Sequence, residues 1–195
     1  MNSIALVISG PAGVGKTTLC ERLLSDLETE LSRVITVTTR CPRKGEIEGK
    51  DYLFISKLEF EELILADAFI EYAQIHANYY GSLKKTFLDL FKKDQNVLLN
   101  IDVQGVSSLK KIENSYTFLK NRIVSVFIMP KSLNELRERL KSRDLDTFDE
   151  IERRLTTAAD EIKHNQIFDY TIESSTKDED YKRLLEIYNL HSNKV

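Results

Sequence analysis

Glycine, proline and cysteine are scarce in this chain of 195 residues, with seven, three and two copies. No segment repeats, none is of low complexity, and no Pro/Gly-rich stretch marks a linker, so one domain with mobile insertions is expected. Cys20 and Cys41 have neither CxxC nor metal-ligand spacing. Cys20 falls on a predicted helix and reads as core, Cys41 as a free loop thiol, and free thiols suit a reducing cytosol. No apolar run approaches the roughly 18 residues that cross a membrane. The opening "IALVI" is too short for a signal-peptide core and has no basic region before it, so a cytoplasmic protein without a membrane partner is expected. A formal charge of -3 argues against a nucleic-acid partner. Nothing points to a protein partner, and 42% hydrophobic with 30% charged residues is ordinary for a globular chain.

What is present begins with short β-branched runs: "IALVIS" (4–9), "RVITVTT" (33–39), "NVLLNID" (96–102), "RIVSVFIM" (122–129) and "DYTIE" (169–173). Short, nearly continuous apolar runs bounded by polar residues read as strands buried on both faces. Between them lie helical patterns, with Leu19, Leu23, Leu24, Leu27 and Leu31 on one stripe and Tyr181, Leu184, Leu185 and Tyr188 on another. Alternating strands and helices predict an α/β fold with a central parallel sheet. Two segments interrupt it. Residues 36–85 carry short strand-like pieces, "DYLFI" and "FIEYAQI", around a helical "KLEFEELILAD". Residues 131–163 are helical and charge-dense, with eight Lys/Arg and nine Asp/Glu, a pattern that also fits a plain solvated surface. All seven glycines lie within the first 105 residues, where sharp turns or close approach to a ligand are expected.

Gly10-Pro11-Ala12-Gly13-Val14-Gly15-Lys16-Thr17 matches GxxxxGK[ST], with Thr18 following, after an apolar strand and before an amphipathic helix. Glycine-permitted backbone lets N–H groups wrap phosphates, and a helix N-terminus adds a favourable dipole. Lys16 would bridge the β- and γ-phosphates, and Thr17 would hold Mg²⁺. The loop alone does not distinguish hydrolysis, switching, transfer or binding. Further along, Arg40 and Arg43 flank Pro42, so two guanidinium forks are placed to converge on one anion, with Tyr52 nearby. Taken alone, these arginines equally fit a solvated basic loop paired with Glu46, Glu48 and Asp51. Glu71, Tyr80 and Ser82 equally fit a strand with packed tyrosines, and His76 reads as a surface residue. Asp102 ends an apolar strand, where a carboxylate typically meets Mg²⁺ or ligand.

Together "GPAGVGKTT", "TTRCPRKGEIEGKDYLF", "FIEYAQ", "NYYGS", "IDVQG" and "RERLKSR…IERRL" occur in the order of the guanylate kinase family, which the chain resembles from residue 4 to about 155. The resemblance implies the reaction ATP + GMP = ADP + GDP on a P-loop kinase fold. It implies a core of residues 1–35, 86–130 and 157–195, a small mixed GMP-binding subdomain at 36–85 and a helical lid at 131–156. It puts the GMP phosphate against Arg40, Arg43, Tyr52 and Tyr80 with Glu46 alongside, and guanine against Thr36, Glu71, Ser82 and Asp102, with Gly81 between. Guanine offers two adjacent donors, N1–H and the 2-amino group, which suit two acceptor-only carboxylates, whereas adenine turns a lone pair toward them. Lys16, Arg139, Arg143 and Arg154 match the family's catalytic lysine and lid arginines, Arg139 and Arg143 being i,i+4 on one helix face. Mg²⁺ enters with ATP, and acceptance of dGMP is left open.

The chain departs from the family pattern at three places. Asn100-Ile101-Asp102 stands where "DID" is usual, losing a charge near Mg²⁺. Thr36 stands for a common Ser, and Ile172-Glu173-Ser174-Ser175 for "VNDD", so no side chain is assigned to adenine. A GTPase reading, suggested by Asp102-Val103-Gln104-Gly105, lacks any NKxD motif and leaves Arg40 and Arg43 idle. A non-catalytic interaction module of the same family would not need an intact Lys16-Thr17 and three lid arginines.

Overall fold

Strand β1 (Ala5–Ser9) is buried along its whole length, and its side chains alternate between two separate core clusters. Leu6 and Ile8 enter one, Ala5 and Val7 the other. That alternation requires helices on both sides, and explains why the run reads as continuously apolar. The computed structural model describes residues 3–75, 77–93, 95–113, 115–142 and 147–192.

β1 lies at the centre of a five-stranded sheet with β2 (Leu31–Arg33), β7 (Asn96–Asn100), β8 (Ile123–Met129) and β9 (Tyr170–Glu173), in the order β2-β7-β1-β8-β9. All of its pairings are parallel. The first core cluster takes its residues from α1 (Lys16–Asp26), α5 (Leu133–Lys141), α6 (Phe148–Lys163) and α7 (Lys177–His191). The second is supplied by α3 (Lys84–Lys92) and α4 (Val103–Glu113). Thus α1 and α4, which follow the adjacent strands β1 and β7, leave for opposite faces of the sheet. A crevice opens between them beyond the strand ends, where ligands bind in such folds.

A second sheet of four strands, in the order β4-β3-β6-β5, is formed by β3 (Val37–Thr38), β4 (Leu53–Phe54), β5 (Phe69–Ile75) and β6 (Asn78–Leu83). It has its own small core: Val37, Phe60 and Phe69, with Phe60 on α2 (Lys57–Leu65) stacked 4.4 Å from Phe69 and 5.1 Å from Tyr79. A capping box between Ser56 and Glu59 starts α2.

Two sequence expectations are corrected here. The run 33–39 is not one strand. Val34 N–H still donates to Leu98 in the large sheet (3.0 Å), but the Thr36 carbonyl already accepts from Leu53 N–H in the small one (3.0 Å). The chain therefore changes sheets within three residues, and Thr36 sits at the crossing. Leu31 does not extend the α1 stripe either, because α1 ends at Asp26 and Leu31 opens β2.

The charge-dense segment is fastened by its apolar residues. Leu136 and Leu140 of α5, and Ile151, Leu155 and Ala158 of α6, belong to the first core cluster. Arg137 on α5 pairs with Glu152 on α6, joining the two helices. α6 runs unbroken across residue 156, the expected lid boundary.

Candidate active site

The loop between β1 and α1 takes its shape from glycine. Gly10, Gly13 and Gly15 have φ of 137°, 91° and 112°, values that side chains resist. At Gly10 a Cβ would also stand 2.4 Å from the Ile128 carbonyl oxygen. α5 lies directly on this loop, with Leu140 and Leu136 at 3.0 and 3.3 Å from a Cβ placed on Gly13. Lys16, the first residue of α1, turns its ammonium back onto its own loop, donating to the carbonyls of Gly10 and Pro11 (3.0 Å to the latter). Thr17 beside it is exposed.

From this loop a cleft extends to the small sheet. It is lined by Gly10, Ala12 and Lys16 at one end and by Thr36, Arg43, Tyr52, Glu71 and Tyr80 at the other. Asn100, Ile101 and Asp102 form its floor, and Arg154, Thr157 and Glu161 of α6 border it. Ten of the expected residues, Gly10, Ala12, Lys16, Thr36, Arg43, Tyr52, Glu71, Tyr80, Asp102 and Arg154, therefore meet in one cavity although they come from both sheets.

Glu71 is 4% exposed and accepts a 2.6 Å hydrogen bond from the Ser82 hydroxyl across the β5–β6 hairpin. Burial pushes its carboxyl up to about 7 against the opposing pull of the Ser82 bond, and the nearby Asp102 charge pushes the same way. Asp102 accepts from the Gly105 N–H (2.9 Å), capping the start of α4. Burial raises its carboxyl too, partly offset by the backbone N–H groups of Gly105 and Gln104. Two carboxylates that are each hard to ionise thus share one wall, and a ligand with paired N–H donors would relieve both.

The expected anion site is organised by Glu46. Both of its oxygens receive the Arg40 guanidinium at 2.9 Å, and one also accepts from the Arg43 N–H at 2.7 Å. These bonds hold its carboxyl below the usual range, although burial opposes them. The Arg40 guanidinium lies 5.3 Å above the Tyr52 ring, and the Tyr52 and Tyr80 rings meet edge to face at 6.1 Å. Arg43, Tyr52 and Tyr80 line the cleft; Arg40, Glu46, Gly81 and Ser82 stand behind it as supports.

The helical arginines divide. Arg154 borders this cleft, whereas Arg139 lies on the other side of the phosphate loop, donating to the Val14 carbonyl (3.1 Å) and to Glu135 (2.6 Å). Arg143 and His76 lie outside the described residues. The serines that replace the family's usual residues after β9 are used inside the fold. Ser174 donates to Asp180 (2.9 Å), and the Ser175 N–H donates to the same carboxylate (2.8 Å), at the start of α7.

Sequence reasoning missed two residues. Gly105 matters because a Cβ there would lie 2.5 Å from Glu71 Oε2, so the first turn of α4 passes beneath that carboxylate only as glycine. Its concentration with the other glycines in the first 105 residues was the available signal. Glu161 borders the cleft with its carboxyl pushed up to about 7 by burial, opposed by Lys16. Inside a charge-dense helix nothing distinguished it from its solvated neighbours.

A phosphate loop facing a second pocket of arginines, tyrosines and buried carboxylates, on a parallel sheet wrapped by helices, defines a P-loop kinase. The guanylate kinase family model matches residues 2–190. Guanylate kinase of Clostridioides difficile (strain 630) is 39% identical over 98% of this chain and 90% of its own length. That of Wolbachia sp. subsp. Brugia malayi is 43% identical over 87% of this chain and 83% of its own. The crystal structure of guanylate kinase from Anaplasma phagocytophilum superposes with a TM-score of 0.78 at 34% identity, covering 99% of this chain and 88% of that one. This chain belongs to the guanylate kinase family.

Proposed function

We propose that the chain transfers the γ-phosphoryl group of ATP to GMP, yielding ADP and GDP. Family membership supports the reaction. The observation that carries the acceptor is the buried Glu71 carboxylate, held by Ser82 in the same cavity as Lys16 and Asp102. Guanine's N1–H and 2-amino group would add to the side-chain and backbone donors that Ser82 and Gly105 give Glu71 and Asp102, and the hydroxyls of Thr36 and Ser82 flank them. Arg43, Tyr52 and Tyr80 meet the acceptor phosphate, with Arg40 fixed behind them by Glu46. Residues 36–85 then form the acceptor-binding part, on their own small core, and 131–156 a lid over the P-loop.

The acceptor phosphate is anionic at neutral pH, so its oxygen attacks the γ-phosphorus without a general base while the bond to the ADP oxygen breaks. The backbone N–H groups of residues 10–18 wrap the ATP phosphates. Lys16 leaves the Gly10 and Pro11 carbonyls for the phosphate oxygens, and Arg139, Arg143 and Arg154 bring further charge as the lid closes. Among the described residues there is no cluster of three or more His, Cys, Asp or Glu that could hold a metal. The exposed Thr17 hydroxyl, together with ATP phosphates, fits Mg²⁺, which keeps water and phosphate ligands and needs few protein groups. Bound there, Mg²⁺ would neutralise charge on the β- and γ-phosphates. No described helix is long and apolar enough to cross a membrane, and both cysteines are free, which supports a reducing cytoplasm.

The test is ADP release from ATP and Mg²⁺ with GMP, AMP or no acceptor. ADP formed with GMP alone, and abolished in Lys16→Met, is expected. ADP formed without acceptor would make the chain a hydrolase. Equal turnover of AMP would remove the carboxylate-based selectivity.

A further inference from the structure

Accepting GMP in this cleft, as proposed above, allots its guanine to Glu71, Asp102, Thr36 and Ser82 and its phosphate to the arginines and tyrosines. Two cavity-lining polar side chains remain unassigned on α6, Thr157 and Glu161. They are i,i+4, hence on one helix face. The Thr157 hydroxyl donates its proton to the Arg153 carbonyl (3.1 Å), which leaves its lone pairs to accept. The Glu161 carboxylate is an acceptor when ionised and makes no hydrogen bond or ion pair among the described residues. Burial opposes its ionisation and pushes the group up to about 7, so an incoming donor would relieve a penalty already present. The part of the nucleotide still without partners is the ribose, whose 2′- and 3′-hydroxyls are two adjacent O–H donors.

We propose that Thr157 and Glu161 read the ribose hydroxyls of the acceptor nucleotide, making Glu161 the residue that favours GMP over dGMP. The placement supports this: Thr157 and Glu161 line the same cavity as Asp102 and Glu71, proposed for guanine, and as Arg43, Tyr52 and Tyr80, proposed for the acceptor phosphate, the two subsites that the ribose joins.

The experiment is calorimetric titration of GMP and dGMP into the wild-type chain, Glu161→Leu, Glu161→Gln and Thr157→Val. Wild type is expected to bind GMP about tenfold more tightly than dGMP, the usual scale for a hydrogen bond to a charged group. The ratio should fall toward one in Glu161→Leu, with Glu161→Gln between and Thr157→Val shifted the same way by less. Thermal melting of each variant checks that it is folded. Equal affinities in wild type, or a GMP-to-dGMP ratio unchanged by Glu161→Leu, overturns the assignment, because a merely structural loss weakens both nucleotides alike. A wild-type chain that binds neither nucleotide overturns the acceptor reading itself, which separates that failure from this one.

Discussion

The phosphate-loop wall of the cleft is written in consecutive residues, with Gly10, Gly13, Gly15 and Lys16 shaping backbone groups that, on the proposed function, would bind phosphate whatever nucleotide carries it. The opposite wall is assembled from β3 through α4, and its groups are aimed by partners far apart in sequence. Ser82 holds Glu71, Glu46 holds Arg40, and α4 both uses Asp102 as a cap and leaves room for Glu71 at Gly105. The first wall is local and the second long-range, and on the proposed function the first is generic and the second selective. Losses in the first should therefore act on turnover, and losses in the second on which acceptor enters.

Lys16→Met breaks this contrast most severely. It should lower turnover by about 10³-fold, the scale of removing a preorganised charge from the transition state, while GMP affinity changes little. Steady-state kinetics beside GMP calorimetry would show it. A comparable loss of GMP binding would mean that the two walls do not act separately. Gly105→Ala probes the other wall without touching any group assigned to substrate. The methyl would displace Glu71 from a position 2.5 Å away, so kcat/KM for GMP should fall about 100-fold with ATP affinity retained. An unchanged kcat/KM would show that Glu71 does not need its present place.

The local wall is also the one that sequence spells out. GxxxxGK[ST] in its strand–helix context is a motif because backbone wrapping depends only on neighbours, and four of the five strands of the parallel sheet lie in the apolar runs 4–9, 96–102, 122–129 and 169–173. The selective wall could be read from sequence only through resemblance. Arg40 and Arg43 alone fit a basic loop, since what makes them a site is Glu46 and two tyrosine rings that folding brings beside them. Gly105 and Glu161 escaped because their meaning is a contact across the fold, with Glu71 in one case and with the cavity in the other. The split of 33–39 between two sheets was equally hidden, because β-branched residues suit both.

A smaller effect sharpens the same comparison through pH. On the proposed reading guanine pairs with an ionised Glu71, whose carboxyl burial pushes up to about 7. GMP affinity should then be about tenfold weaker at pH 6 than at pH 8, whereas the phosphate loop has no group that imposes such a slope on ATP. Glu71→Gln should make the GMP profile shallower as it weakens binding, leaving the part contributed by Glu161, whose carboxyl burial also pushes up to about 7. If ATP and GMP affinities change in parallel with pH, Glu71 is not the source.

The slightest expected change lies in stability, and its sign is opposite to that of an ordinary paired carboxylate. Folding raises the Glu71 carboxyl from its usual 4.5 to about 7. Between these values the folded chain keeps a proton that the unfolded chain releases, so this group costs the fold more as pH rises through that window. The penalty is absent below it and fully present above about pH 7. Gln at position 71 cannot ionise and escapes the penalty. Glu71→Gln should therefore melt higher relative to wild type at pH 8 than at pH 5, by about 5–10 °C for a domain of this size. Titration elsewhere, Glu161 included, is common to both chains and drops out of the difference. A Glu71→Gln chain whose melting difference stays constant across that range would mean that the fold itself already satisfies Glu71. The selective wall would then carry no stored cost for guanine to relieve, and its preference would have to come from shape alone.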